Sequence, residues 1–208
     1  MHKFYTKNLI ELLEIISQDI VEQKELLTEL DAIVGDGDLG VNMESGFRAL
    51  CKEIRENGEM TLAEAFEKCG FIFNQAAPST LGTIISSAFF AFASVTEEKD
   101  FLNRKQFADM MDAAIAAVSE LGGAKPGDRT ILDSMLPYTA ALRENISDVS
   151  VWKIAAGKAE EAAALTAELI PRTGRARMYG EKSRGIRDGG AVLFSIVAKS
   201  IEKYFTLS

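Results

Sequence analysis

The apolar residues of this chain recur at spacings of three and four almost from end to end, and no segment alternates with period two. That regularity confines the fold to packed helices, because a strand with one buried face needs an apolar residue at every second position. Leu9, Leu12, Leu13, Ile16, Ile20, Leu27 and Leu30 mark a first amphipathic helix between Thr6 and Leu30. Similar patterns over 41–57, 61–76, 81–95, 103–121, 130–146, 150–169 and 189–205 bring the expected number to eight. Asn57-Gly58, Pro78-Ser79, Gly122-Gly123, Pro126-Gly127, Pro171 and the glycines from 174 to 190 separate them. Thr61 with Glu64 forms a capping-box signature for the third helix. Pro137 is expected to bend the sixth helix without ending it, since the apolar spacing continues through Leu142.

At 208 residues and 47% apolar content the chain reads as a single domain, 1–208, with a sizeable core. A formal net charge of −8 argues against partners held by broad electrostatics, nucleic acid and anionic membrane surfaces alike. No apolar run approaches the roughly 18 residues needed to cross a bilayer. Glu11, Glu14 and Asp19 fall within the first twenty residues, which are therefore not expected to be a signal peptide. Cys51 and Cys69 lack CxxC spacing and lie in amphipathic stretches, the usage of inert core thiols in a reducing cytoplasm. The only histidine is His2. Beyond the first residues, histidine-based catalysis, histidine metal sites and phosphohistidine carriage are thereby excluded.

The segment Asp31-Ala-Ile-Val-Gly-Asp36-Gly-Asp38-Leu39-Gly40-Val-Asn42 carries the strongest chemical signal. Its GDGDLG satisfies the dinucleotide pattern GxGxxG, but a long helix precedes it where that fingerprint needs a strand, and two aspartates would repel a pyrophosphate. The EF-hand pattern fails too, because the twelfth position from Asp36 is Phe47. Three carboxylates over eight residues, hinged by Gly35 and Gly37, suit a hard divalent cation such as Mg²⁺. The competing reading makes them N-cap and turn aspartates at a helix–helix corner.

In an antiparallel bundle, the connections after the first, third, fifth and seventh helices share one end. Those connections hold the three aspartates, Pro78-Ser79-Thr80-Leu81-Gly82-Thr83, the GGAKPGD loop from Gly122, and the segment 171–188 closing on Asp188-Gly189-Gly190. The last has six basic residues and no apolar period, which suggests a lid or a disordered stretch. Helix N-termini, cations and carboxylates would then surround one pocket, as a nucleotide–Mg²⁺ complex requires.

The runs LDAIVGDGDLGVNM, GGAKPGDRTILD and GRARMYGEKSRGIRDGGA resemble the nucleotide-binding L subunit of phosphoenolpyruvate-dependent dihydroxyacetone kinase, in order and over most of the chain. The resemblance implies an all-α fold, an eight-helix antiparallel up-and-down barrel, with ADP or ATP and one or two Mg²⁺ at one end. It implies Asp31, Asp36 and Asp38 as metal ligands. Leu39, Gly40, Asn42, Ser79, Thr80, Gly122, Ile131, Arg175, Asp188, Gly189 and Gly190 would line the nucleotide. Three positions depart from the family: Leu39 replaces the usual His, Asp188-Gly189-Gly190 replaces Asp-Pro-Gly, and the glycine-rich serine loop is rebuilt as PSTLGT.

The function expected on this basis is phosphoryl transfer from bound nucleotide to a short ketose held on a partner K subunit. Mg²⁺ and Arg175 would neutralise charge on the transferring group. A phosphotransferase-system phosphocarrier of the M type would restore the nucleotide. A transcription regulator and a second copy of the chain are further partners under consideration, and a cytoplasmic location follows from the thiols. Two alternatives stand beside this: a related kinase acting on another ketose or a fatty acid, and a nucleotide-bound adaptor without turnover.

Overall fold

Each of the amphipathic patterns forms a helix. The computed structural model describes residues 3–55 and 60–207; His2 and the Asn57-Gly58 breaker lie outside the described residues. Nine α-helices occur among them: α1 (Thr6–Glu22), α2 (Lys24–Val34), α3 (Leu39–Arg55), α4 (Leu62–Ala76), α5 (Thr80–Thr96), α6 (Arg104–Gly122), α7 (Leu132–Glu144), α8 (Val151–Leu165) and α9 (Gly189–Leu207). Pro137 lies inside α7, which continues past it to Glu144.

The ninth helix arises because the first expected one is two. Gln23 leaves helical geometry (φ −102°, ψ 8°), and its N–H is shared between the carbonyls of Asp19 and Ile20 at 3.1 and 3.2 Å. The break turns α2 onto α3 and α9, burying Leu27 and Leu30 there. Seven residues separate Ile20 from Leu27, a spacing that fits one continuous helix as well as two.

The helices close into a ring. Neighbours in sequence pack from α3 through α9, and α1 completes the circuit by packing on both α3 and α9. Along the α1–α9 seam, Ser200 Oγ and Lys203 Nζ donate to the Asp19 carboxylate at 2.7 and 2.9 Å, and the Tyr204 hydroxyl donates to Glu11 at 3.0 Å. The interior is predominantly apolar, with Trp152 stacked on Phe205 at 4.0 Å between centroids. A cavity of about 120 Å³ remains at its centre, lined by residues such as Leu12, Phe47, Phe89, Met111 and Phe194.

Helix direction alternates around the ring, so the connections divide between its two ends. At the far end, Phe4 and Leu102 form a small antiparallel bridge (N···O 2.9 and 2.8 Å). Arg104 there donates to the carbonyls of Ile146 and Asp148 at 3.2 and 2.7 Å. At the near end lie the α2–α3, α4–α5, α6–α7 and α8–α9 connections. No described helix is long and apolar enough to cross a membrane.

Caps fix where the helices begin. Thr61 Oγ1 accepts the Glu64 N–H at 3.2 Å while Glu64 Oε2 accepts the Thr61 N–H at 2.8 Å, the reciprocal box expected for α4. Asn103 and Gln106 repeat it on α6 at 3.0 and 2.9 Å. Glycine matters in opposite ways at two helical positions. A Cβ on Gly82 would stand 1.9 Å from the Ala77 carbonyl oxygen, whereas one on Gly157, inside α8, would meet nothing within 4 Å. Gly157→Ala is therefore expected to stabilise the protein by up to about 1 kcal/mol through helix propensity. Gly82→Ala is expected to cost about 1–3 kcal/mol as the α4–α5 turn is forced apart. Urea unfolding midpoints of the two variants should move in opposite directions.

Candidate functional site

The near end of the barrel gathers the charged loops. Asp31 belongs to the last turn of α2, while Asp36 and Asp38 occupy the turn into α3, and one carboxylate oxygen from each lies within 4.8 Å of the others. Two glycines make this convergence sterically possible. A Cβ on Gly35 would fall 2.1 Å from Asp31 Oδ1, and Gly37 adopts φ +74°, which side chains rarely tolerate. Asp31 Oδ2 accepts the N–H groups of Asp38 and Leu39 at 3.0 and 3.3 Å. Asp31 is thus both the cap of α3 and a member of the cluster, so the two readings of the motif are compatible at this residue.

A cation already faces the carboxylates. Arg175, on the α8–α9 connection, forms an ion pair with Asp36 through Nη1. That connection, expected to be a lid or a disordered stretch, is folded into 3₁₀ turns at Thr166–Glu168, Arg175–Met178 and Gly180–Ser183. It is tied to the α6–α7 loop by Arg172 N–H donating to the Asp128 carbonyl at 3.1 Å, and closed on itself by Gly185 N–H donating to the Ala167 carbonyl at 2.8 Å.

The other expected residues surround this cluster to different degrees. Ser79 caps α5, its Oγ accepting the Gly82 N–H at 3.0 Å, and Thr80 begins the helix in solvent. Gly122 ends α6 in the open, with Ile84 of α5 as its nearest neighbour. Gly40 is buried, pressed so closely on α2 that a Cβ would lie 2.2 Å from the Lys24 carbonyl oxygen; Asn42 is half-buried two residues further on. Leu39 and Ile131 are buried apolar side chains, 7% and 8% exposed. Leu39 packs on Gly189 and Ile131 on Gly190, the two glycines that open α9. The small side-chain-free start of α9 therefore lets it approach α3 and α7 together.

The carboxylates fit a hard cation: three oxygen donors converge, the glycines admit no side chain between them, and a guanidinium occupies the position of a counter-charge. Residues not anticipated from the sequence shape the neighbouring loop. Asp133 accepts the Gly127 N–H, and the Thr130 N–H at 2.8 Å. Asp128 accepts the Lys125 N–H at 2.8 Å. Arg129, only 2% exposed, points inward to the α8–α9 connection, donating to Ser183 Oγ and to the Ile186 carbonyl. Its place within GDRTILD is the only sequence signal it offers.

Asp188 caps α9, its Oδ2 accepting the Ala191 N–H at 2.8 Å, while its own N–H donates to Thr166 Oγ1 at 2.9 Å. Loss of solvent pushes its carboxyl up from 3.8 to about 6, against the opposing pull of the Ala191 amide and the Arg129 charge. A carboxyl with a raised folded-state pKa favours the fold when protonated. Its contribution is complete below about 4 and is lost as pH rises towards 6. The two-unit shift corresponds to about 3 kcal/mol. Asp188→Asn, which retains the cap, should accordingly gain up to that amount of stability over the unmodified chain between pH 4 and 7. Chemical unfolding of both proteins across that range measures it.

Comparison with known proteins places this arrangement. L-erythrulose 1-kinase of Mycolicibacterium smegmatis is 33% identical over 208 residues, covering 96% of this chain and 36% of the relative. The Escherichia coli protein named PEP-dependent dihydroxyacetone kinase, ADP-binding subunit DhaL, is 29% identical over 173 residues, covering 81% of this chain and 82% of the relative. The dihydroxyacetone kinase of C. freundii in its native form shares the fold, with a TM-score of 0.76 at 22% identity over 98% of this chain and 36% of that one. The chain thus spans about a third of the length of the erythrulose kinases it matches. The DAK2 domain matches residues 33–203, and with the all-helical barrel in place the chain belongs to the DAK2 domain family.

Proposed function

We propose that this chain is the nucleotide-binding unit of a short-ketose kinase, holding Mg²⁺–ADP or Mg²⁺–ATP at the near end of the barrel. The observation that carries the reading is the approach of Asp31, Asp36 and Asp38 to within 4.8 Å of one another beneath the Arg175 guanidinium. Asp31, Asp36 and Asp38 would hold Mg²⁺ through their carboxylate oxygens, and the ion would supply charge neutralisation for the phosphates of a bound nucleotide. Arg175, paired with Asp36, would supply positive charge beside the phosphates of a bound nucleotide. Loops at the starts of α5, α7 and α9 would line the nucleotide, with Ser79, Thr80, Gly122, Ile131, Asp188, Gly189 and Gly190 as contacts, beside Leu39, Gly40 and Asn42 of α3. Backbone amides at such helix starts suit anions. Support comes also from a C. freundii dihydroxyacetone kinase complex with AMP-PNP and Mg²⁺, which has the same fold at a TM-score of 0.75.

The near end is an open rim, and a three-carbon or four-carbon sugar offers few contacts by which to be positioned there. Positioning supplies much of the rate in phosphoryl transfer. The ketose is therefore placed on a K-type partner docked over the rim, and an M-type phosphocarrier is the proposed source of phosphate. The naming of relatives as erythrulose kinases, 33% identical, favours erythrulose as a second acceptor beside dihydroxyacetone.

Isothermal titration with Mg²⁺–ADP tests the site. Asp36→Asn and Asp38→Asn should each weaken binding at least tenfold, about 1.4 kcal/mol, and EDTA should abolish it; unchanged affinity in both variants would refute the metal assignment. Phosphorylation of dihydroxyacetone and erythrulose from Mg²⁺–ATP should require an added K-type subunit. Turnover by the isolated chain would refute the split-site reading.

A further inference from the structure

Arg129 is an improbable residue where it stands. Its backbone has φ +62°, making it the one non-glycine residue with positive φ among those described. A side chain with a Cβ is disfavoured in that region, and glycine would occupy it without strain. The long side chain is nonetheless 2% exposed, and its Nε has no hydrogen-bond partner. Strain, burial and an unpartnered donor all oppose an arginine here, so the contacts its guanidinium does make must determine its position.

Those contacts all lead to one segment. Nη1 donates to Ser183 Oγ and Nη2 to the Ile186 carbonyl, 54 and 57 residues away in sequence. Ser183 Oγ in turn donates to the Gly180 carbonyl at 2.7 Å, which joins the fork to the turn immediately after the one containing Arg175. The adjacent residue Asp128 accepts the Arg172 N–H at 3.1 Å on the other side of that turn. Residues 128 and 129 therefore grip the α8–α9 connection before and after Arg175. Asp188 lies near enough to act on the Arg129 charge and lessens the cost of burying it.

We propose that Arg129 is a positioning residue, a latch that pins the α8–α9 connection so that Arg175 is held over the three aspartates. The latch rests on the proposed nucleotide site for its consequence but not for its existence. It acts through Arg175 and touches neither metal nor phosphate. A planar fork with two separated acceptors explains arginine over lysine, whose ammonium is a single point donor group.

The test compares the unmodified chain, Arg129→Gly, Arg129→Lys, Arg175→Ala and the double variant Arg129→Gly/Arg175→Ala. Arg129→Gly relieves the backbone while removing the fork, so it separates strain from latch. In the nucleotide-free protein it should speed amide hydrogen exchange over 180–187 at least tenfold and leave exchange in α4 and α5 unchanged. It should also raise the dissociation constant for Mg²⁺–ADP at least tenfold. In the Arg175→Ala background the same change should alter that constant less than twofold, because the residue it positions is gone. Should Arg129→Gly not fold, Arg129→Lys carries both measurements, with an expected loss of threefold or more.

Unchanged exchange over 180–187 in the variants overturns the latch. An undiminished affinity loss in the Arg175→Ala background overturns the action through Arg175 and assigns Arg129 to general stability. If the unmodified chain binds no Mg²⁺–ADP, the proposed function fails instead, and the exchange measurement still decides the latch by itself.

Discussion

Mutual repulsion among Asp31, Asp36 and Asp38 is the constraint to which the near end of the barrel is built. Two like charges 4 Å apart oppose each other by about 1 kcal/mol in bulk water and about 4 kcal/mol in the effective dielectric of a protein surface. Three of them held within 4.8 Å therefore need compensation on every side. One oxygen of Asp31 is engaged by two backbone N–H groups at the start of α3. Arg175 meets Asp36. The cluster remains open on its solvent side, where the proposed cation would add the compensation that these partners do not supply.

The barrel topology supplies the rest of the positive potential without further charged residues. Because helix direction alternates around the ring, α3, α5, α7 and α9 all present their N-termini at the end that carries the aspartates. Each brings a partial positive charge and unsatisfied amides to the same rim. An acidic chain, with 31 acidic against 23 basic residues, can thus add backbone geometry to the charge of Arg175 in offering an anion a favourable place.

Much of this was legible in the sequence because helices of this kind announce themselves through apolar spacing, and the site loops through clustered Asp and Gly. The break at Gln23 was not legible, since Ile20 and Leu27 keep a helical period across it and no glycine or proline marks it. The order of the α8–α9 connection was hidden for a different reason. Its 3₁₀ turns are stabilised by Arg129 and Asp128 from a remote loop, and its own residues carry no period. Arg129 was quoted within a motif, yet arginine is rarely buried, and nothing local signals that this one is. The membership of individual residues in a nucleotide pocket came from resemblance. The convergence of the aspartates followed from spacing as well.

The seam between α1 and α9 has a consequence for covalent architecture. Both helices have their chain-terminal ends at the far end of the ring, beside the Phe4–Leu102 bridge. The aspartate rim lies a full helix length away, roughly 28 Å for the 19 residues of α9 at about 1.5 Å per residue. Any domain joined to this one through the peptide backbone starts on the wrong side to reach the rim. An extended tether of at least roughly eight residues, at about 3.3–3.6 Å each, would have to run up the outer wall before such a domain could face Arg175. Tether length, more than affinity, would set how often a fused neighbour visits the site, whereas a free subunit can approach the rim directly.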